Sequence, residues 1–121
     1  MKILDCTLRD GGYYTNWDFN STIVDSYIKA MNILPIDYLE IGYRNNPSKE
    51  YLGKFGYTPV SVLKHIRKIC SKKLAVMINE KNTTPEDLDY LLSPIQEFIN
   101  MIRIAIDPQN IDRAIILAKA I

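Results

Sequence analysis

The 121-residue sequence predicts an α/β fold of four parallel βα units, and three observations carry that reading. Short apolar runs alternate with segments of helical periodicity. Turn and cap signals separate them along the whole chain. Each strand is followed by a helix-length crossover, so successive strands run parallel with right-handed connections.

Lys2 to Thr7 is short and apolar-rich and runs into Arg9-Asp10-Gly11-Gly12, a turn signal, which predicts a buried first strand and then a loop holding Tyr13, Tyr14 and Trp17. Ser21 or Thr22 can cap a helix whose apolar positions Ile23, Tyr27, Ala30, Met31 and Leu34 recur at helical spacing, and Pro35 stops it. Tyr38 to Tyr43 is the second strand. The long polar stretch from Arg44 to Thr58 reads as a loop with functional potential. Pro59 suits the first position of a helix with a Val60, Leu63, Ile66 and Ile69 stripe. Leu74 to Ile78 is the third strand. Thr84-Pro85-Glu86-Asp87 combines a capping hydroxyl, an early proline and two acids, a strong helix start, and Ser93-Pro94 marks the end. Met101 to Ile106 is the fourth strand, and Asp107-Pro108 opens a last helix carrying Ile111, Ile115 and Ala118.

Composition excludes several classes. With 47% hydrophobic and 24% charged residues the chain is a globular domain. Its net charge of +1 gives no basic surplus for nucleic acid or an anionic membrane. No apolar run reaches the roughly 18 to 20 residues of a membrane span, and Asp5 interrupts any signal-peptide core, so the expected location is cytoplasmic. Cys6 and Cys70 lack a CxxC partner and read as reduced thiols.

Four units in 121 residues average about thirty each, whereas a closed eight-unit barrel needs roughly 250 residues. The expected fold is therefore the N-terminal half of a (β/α)8 TIM barrel, with residues 1–121 as one partial barrel domain. The strands carry polar residues at one parity: Asp5, Thr7 and Arg9 on the first, Glu40 on the second, Asn79 after the third, Arg103 and then Asp107 on the fourth. Such residues near C-terminal strand ends suit a barrel mouth, where chemistry gathers in this architecture. The competing reading is a satisfied ion network of Glu40, Arg9 and Arg103 without chemical role.

Asp5-Cys6-Thr7-Leu8-Arg9-Asp10-Gly11 resembles the first-strand signature of the DRE-TIM metallolyase superfamily, which includes 4-hydroxy-2-oxovalerate aldolase and hydroxymethylglutaryl-CoA lyase. Leu39-Glu40-Ile41-Gly42 and Ile102-Arg103-Ile104-Ala105 resemble its second and fourth strands. The run Thr7 to Phe19 is similar to a bacterial 4-hydroxy-2-oxovalerate aldolase-like branch. The resemblance implies metal-assisted retro-aldol cleavage of a 4-hydroxy-2-oxo acid to pyruvate and an aldehyde. A divalent magnesium or manganese ion would act as Lewis acid. By that resemblance Asp10 is a metal ligand, Arg9 neutralises the enolate oxygen, and Glu40 orients Arg9 or a water.

The departures are equally specific. The family's His-X-His ligand pair has no counterpart, because the one histidine, His65, falls on the surface of the second helical segment, the one opened by Pro59. The metal site is thus half present, and the isolated chain is expected neither to hold a metal tightly nor to cleave the substrate. Where the aldolase branch has a histidine base, this chain has Tyr13, and an unperturbed phenol near pKa 10 is a poor base at neutral pH. Gly12 replaces an acid or serine of sister branches. Neither GxGxxG nor GxxxxGK[ST] follows the first strand, so Gly11-Gly12 is no phosphate cradle. Lys68, Lys72 and Lys73 read as a solvated helix end.

Two other functions compete with the lyase: a non-catalytic half-barrel acting as a binding or assembly module, and a Claisen-type synthase joining an acyl-CoA to a 2-oxo acid, which Gly12-Tyr13 disfavours. The last helix reaches Ile121 without a capping glycine, as expected of an excised part of a longer chain. Open strand edges predict a homo-oligomer, and a small-molecule 2-oxo acid is the expected ligand.

Overall fold

The computed structural model describes residues 1–121 and consists of one four-stranded sheet with helices interleaved along the chain. The elements are β1 (Leu4–Asp5), α1 (Thr7–Thr15), α2 (Ser21–Asn32), β2 (Tyr38–Tyr43), α3 (Lys54–Tyr57), α4 (Val60–Ile69), β3 (Lys73–Asn79), α5 (Leu88–Leu92), β4 (Met101–Ala105) and α6 (Ile111–Ala120). Single 3₁₀ turns flank α5 and precede α6. The strands lie in the order β1-β2-β3-β4, and every pairing is parallel. This is four consecutive βα units of a half (β/α)8 barrel, as the alternation predicts.

Three local expectations are corrected. The first strand is only Leu4–Asp5, and Thr7, Arg9 and Tyr13 lie on α1 instead of a strand and a loop. The carboxylate of Asp5 accepts the Thr7 N–H at 3.0 Å and the Thr7 hydroxyl at 3.1 Å, which satisfies an early helical donor and starts the helix sooner than the Gly-Gly signal allows. Gly11 and Gly12 are tolerated inside the helix because the Trp17 indole folds back on it, donating to the Arg9 carbonyl at 2.8 Å. The cap of α2 is Asn20, whose side chain accepts from Thr22 and Ile23, and neither Ser21 nor Thr22 fills that role. Pro59 precedes α4 as its cap with extended backbone. The Thr84–Asp87 capping box forms as its sequence predicts, with Asp87 accepting the Thr84 N–H at 2.8 Å.

The core lies between sheet and helices. Leu39, Ile41, Leu74, Val76 and Ile78 meet Val24, Ile28, Leu63, Ile66 and Leu91, and each is nearly or completely buried. The other sheet face carries the alternate residues, among them Ala75 and Met77. Both cysteines are free. No helix is long and apolar enough to cross a membrane.

Candidate active site

Register brings the polar residues of two strands to one place across β3. Glu40 pairs with Ala75, while Tyr43 and Arg103 both pair with Met77. These positions share the face away from the hydrophobic core. The register of β2 shifts between Glu40 and Gly42, so the extra residue Ile41 re-aims the rest of the strand. Without that bulge, alternation would put residue 42 beside Glu40 and turn Tyr43 toward the helices. With it, Gly42 faces the loop instead, where an added Cβ would come within 2.0 Å of the Phe55 carbonyl oxygen. The small side chain of Ala75 leaves room on β3 for Glu40 to reach Arg103 on β4.

Glu40 is completely buried and is held by two guanidinium groups. Arg9 Nε donates to its Oε2 at 2.8 Å. Arg103 Nη1 lies 3.1 Å from Oε1 and 3.0 Å from Oε2. Arg9 itself is 14% exposed and Arg103 41%, so Arg9 is the sheltered partner and Arg103 the half-open one. Burial alone lowers the Arg9 pKa, but the hydrogen bond and charge of Glu40 outweigh it and raise it, so this guanidinium stays a cation. Arg9 Nη1 also donates to Asp10 Oδ1 at 2.9 Å. Together the four side chains sum to no net charge, with Arg9 Nη2 and the remaining Arg103 donors uncommitted to protein acceptors.

Asp10 is 67% exposed on α1, one residue beyond Arg9. It offers a divalent cation one carboxylate, half of it already engaged by Arg9. No group of three or more histidine, cysteine, aspartate or glutamate residues converges anywhere in the chain. The residues present therefore do not by themselves form a metal centre. His65 lies elsewhere, on α4, with Nε2 2.8 Å from Asp25 of α2. Its place on the helix surface is as the sequence predicts.

Tyr13 stands one helical turn after Arg9, and its hydroxyl is 2.9 Å from that of Tyr43. Burial, and then the hydrogen bond to Tyr13, push the Tyr43 pKa up, so Tyr43 is a neutral phenol at physiological pH. Trp17 packs edge-on against both rings, at centroid distances of 4.8 and 5.6 Å. Its indole explains Gly12: a Cβ there would stand 2.0 Å from Trp17 Cδ1, so no acid or serine fits. Asn16 and Trp17 both adopt left-handed backbone to bring the ring back over the helix.

The loop after β2 is anchored to the same end. Gly53 N–H donates to Asn16 O at 2.7 Å, and Tyr51 donates to Asp18 at 2.7 Å. Arg44 donates to Leu91 O at 2.7 Å and Tyr57 O at 3.0 Å, tying the loop to α5 and α3. Between this loop and the ends of β2 and β3 lies a cleft of about 560 Å³, bordered by Tyr13, Tyr43 and a set of asparagines. The structure thus unites Arg9, Asp10, Glu40 and Tyr13 at one strand-end region. Sequence reasoning missed Tyr43 and the cleft amides Asn45, Asn46 and Asn82, whose signal was their recurrence past strand ends, while Asn79, the last residue of β3, was among the strand-end polar residues it named.

No family model and no curated protein matches the chain. A solved structure from Bacteroides vulgatus, described as the "N-terminal domain of a putative aldolase", matches 99% of this chain at 80% identity and a TM-score of 0.96. The chain is similar to an aldolase N-terminal domain. It spans 40% of the length of that protein. At such identity the aldolase-like domain and its relative share a fold, which is the four-unit half-barrel described above.

Proposed function

We propose that this aldolase-like domain provides Arg9, Glu40 and Tyr13 to a carbon–carbon lyase that cleaves a 4-hydroxy-2-oxo acid to pyruvate and an aldehyde. The observation that supports it best is Arg9: a guanidinium held on a completely buried carboxylate, sheltered from solvent, with donors left over at the strand ends.

In the retro-aldol direction the C4 hydroxyl loses its proton to a base, the C4 carbonyl forms and the C3–C4 bond breaks. Its electron pair moves onto the pyruvate fragment as an enolate, and protonation at C3 completes pyruvate. Arg9 faces the charge that develops on the C2 oxygen. Glu40 holds the guanidinium in one orientation beforehand, so no reorganisation is needed as charge appears. Arg103 shares Glu40 and restrains it from the far side. Tyr13 and the neutral Tyr43 form a hydroxyl pair suited to donating a hydrogen bond, so the base is another group. Asp10 is proposed as one ligand of a magnesium or manganese ion; such an ion supplies Lewis acidity when bound.

The test is pyruvate formation from racemic 4-hydroxy-2-oxopentanoate by the full-length protein, followed through a lactate dehydrogenase couple. Pyruvate and acetaldehyde in equal amounts support the reading. Their absence with manganese and with magnesium, from this acid and from longer 4-hydroxy-2-oxo acids alike, sinks it.

A further inference from the structure

The cleft beside Tyr13 carries an inference about the aldehyde half of the substrate, and it rests on the lyase reading above. Its volume of about 560 Å³ far exceeds what a two-carbon aldehyde needs and lies within the usual range of small-molecule sites. Tyr13 borders it one helical turn from Arg9, so the cleft opens beside the place where Arg9 would hold a 2-oxo acid.

The lining is polar in a particular way. No lysine or arginine borders the cleft, and Glu50 is its sole charged residue, which makes a phosphate or carboxylate there unfavourable. What remains is amides and hydroxyls with unspent capacity. Asn79 accepts the Lys81 N–H at 2.9 Å through Oδ1, leaving its amide protons free. Asn45 donates to Gly56 O at 2.9 Å, leaving its Oδ1 free to accept. The side chain of Asn82 makes no protein hydrogen bond, although its carbonyl accepts from Asn46 at 3.0 Å. The Tyr13–Tyr43 pair commits one phenolic proton and keeps the other. Donors and acceptors are thus interleaved around an uncharged space, which matches a chain of hydroxyl groups that each give and take a hydrogen bond.

We propose that this cleft is the aldehyde subsite and that it takes an uncharged, polyhydroxylated chain. The retro-aldol step is unchanged: the C3–C4 bond breaks, the C4 hydroxyl becomes the carbonyl, and the product beside pyruvate is a hydroxyaldehyde. An alkyl chain of equal length would strand the amides without partners, which is the stronger form of discrimination available to a binding site.

The full-length protein is assayed for kcat/KM on three six-carbon 4-hydroxy-2-oxo acids: one with hydroxyls at C5 and C6, one with plain alkyl carbons there, and one ending in phosphate at C6. The expected result favours the hydroxylated acid over the alkyl one by more than about tenfold, with the phosphate below both. Asn82→Ala, whose side chain supports nothing else in the fold, and Asn79→Ala should each narrow that ratio while circular dichroism stays as in the unsubstituted protein. Preference for the alkyl or phosphorylated acid overturns this proposal and leaves the lyase reading standing. Cleavage of none of the three defeats the lyase reading instead. The cleft is then read by NMR titration of the chain with xylitol and with 1-pentanol. Saturable shifts of the Asn79 and Asn82 amides with xylitol alone uphold a hydroxyl-binding cleft, and their absence overturns it.

Discussion

Glu40→Gln is the most informative single change in the fold, because it removes one charge and almost no volume. Glu40 is completely buried and accepts from Arg9 at 2.8 Å and from Arg103 at 3.0 Å. Removing one member of a buried ion pair leaves the other as an uncompensated charge and costs about 3 to 5 kcal/mol. Arg9, at 14% exposure, feels most of that penalty. Arg103, at 41%, is open enough for water to solvate its charge, so its share is discounted to the surface range of under about 1 kcal/mol. The glutamine amide still accepts one hydrogen bond, which returns about 1 kcal/mol. The expected loss is about 3 kcal/mol, a large fraction of the 5 to 15 kcal/mol typical of a domain. Arg103→Met should cost about 1 kcal/mol, since it leaves Glu40 paired with Arg9. Urea denaturation at pH 7 followed by circular dichroism measures both, with midpoints compared at constant slope. A Glu40→Gln loss below about 1 kcal/mol, or an Arg103→Met loss equal to it, would refute the claim that Arg9 is the sheltered partner.

Gly12→Ala should displace the Trp17 ring, whose Cδ1 would lie 2.0 Å from the added Cβ, and cost about 1 to 3 kcal/mol, with a red shift of tryptophan emission; native emission and an unchanged melting temperature would contradict the packing. Tyr13→Phe in the full-length protein should slow turnover by less than about tenfold and keep the pH profile near neutrality, whereas a loss of several thousandfold would make Tyr13 the proton carrier. Asp87 is held below the usual carboxylate range by the Thr84 N–H, and Asp37 by the Ile3 N–H and Lys2. Both are depressed in the folded state, so their stabilisation is complete above the unfolded pKa and lost as pH falls through the folded one. Calorimetry should therefore show a melting temperature level down to about pH 5 and falling below about pH 4, with a shallower fall in Asp87→Asn; a flat profile to pH 2 would contradict the assignment.

The strands at Tyr38–Tyr43, Lys73–Asn79 and Met101–Ala105 were legible because aliphatic runs bounded by turn residues have few other readings. The first unit was not. Gly11-Gly12 is a turn signal by local propensity, and the helix Thr7–Thr15 forms with Asp5 satisfying its start and the Trp17 backbone N–H closing its end on Gly12 O at 3.0 Å. The same limit applied to the site. Arg9, Glu40 and Arg103 were recognisable as one polar set, but parity alone placed Arg9 on a strand, whereas it reaches Glu40 from a helix. Tyr43 stayed hidden because its face depends on the bulge between Glu40 and Gly42, and nothing in the sequence YLEIGY announces an extra residue. The cleft depends on where the loop from Arg44 to Thr58 folds, and that is fixed by long-range bonds such as Gly53 to Asn16 and Arg44 to Leu91.

The central claim is that Arg9 stabilises an enolate as the carbon–carbon bond breaks. Its most direct test is the rate of pyruvate release from 4-hydroxy-2-oxopentanoate by the full-length protein and by Arg9→Ala and Arg9→Lys. Losing a preorganised electrostatic stabiliser costs about 3 to 4 kcal/mol of barrier, so Arg9→Ala should fall by about 10² to 10³ in kcat with KM nearly unchanged. Arg9→Lys should recover only part of that loss, since an ammonium cannot donate to Glu40 and the oxyanion in one plane. Turnover of Arg9→Ala within about tenfold of the unsubstituted enzyme, with the fold intact by circular dichroism, would contradict the account.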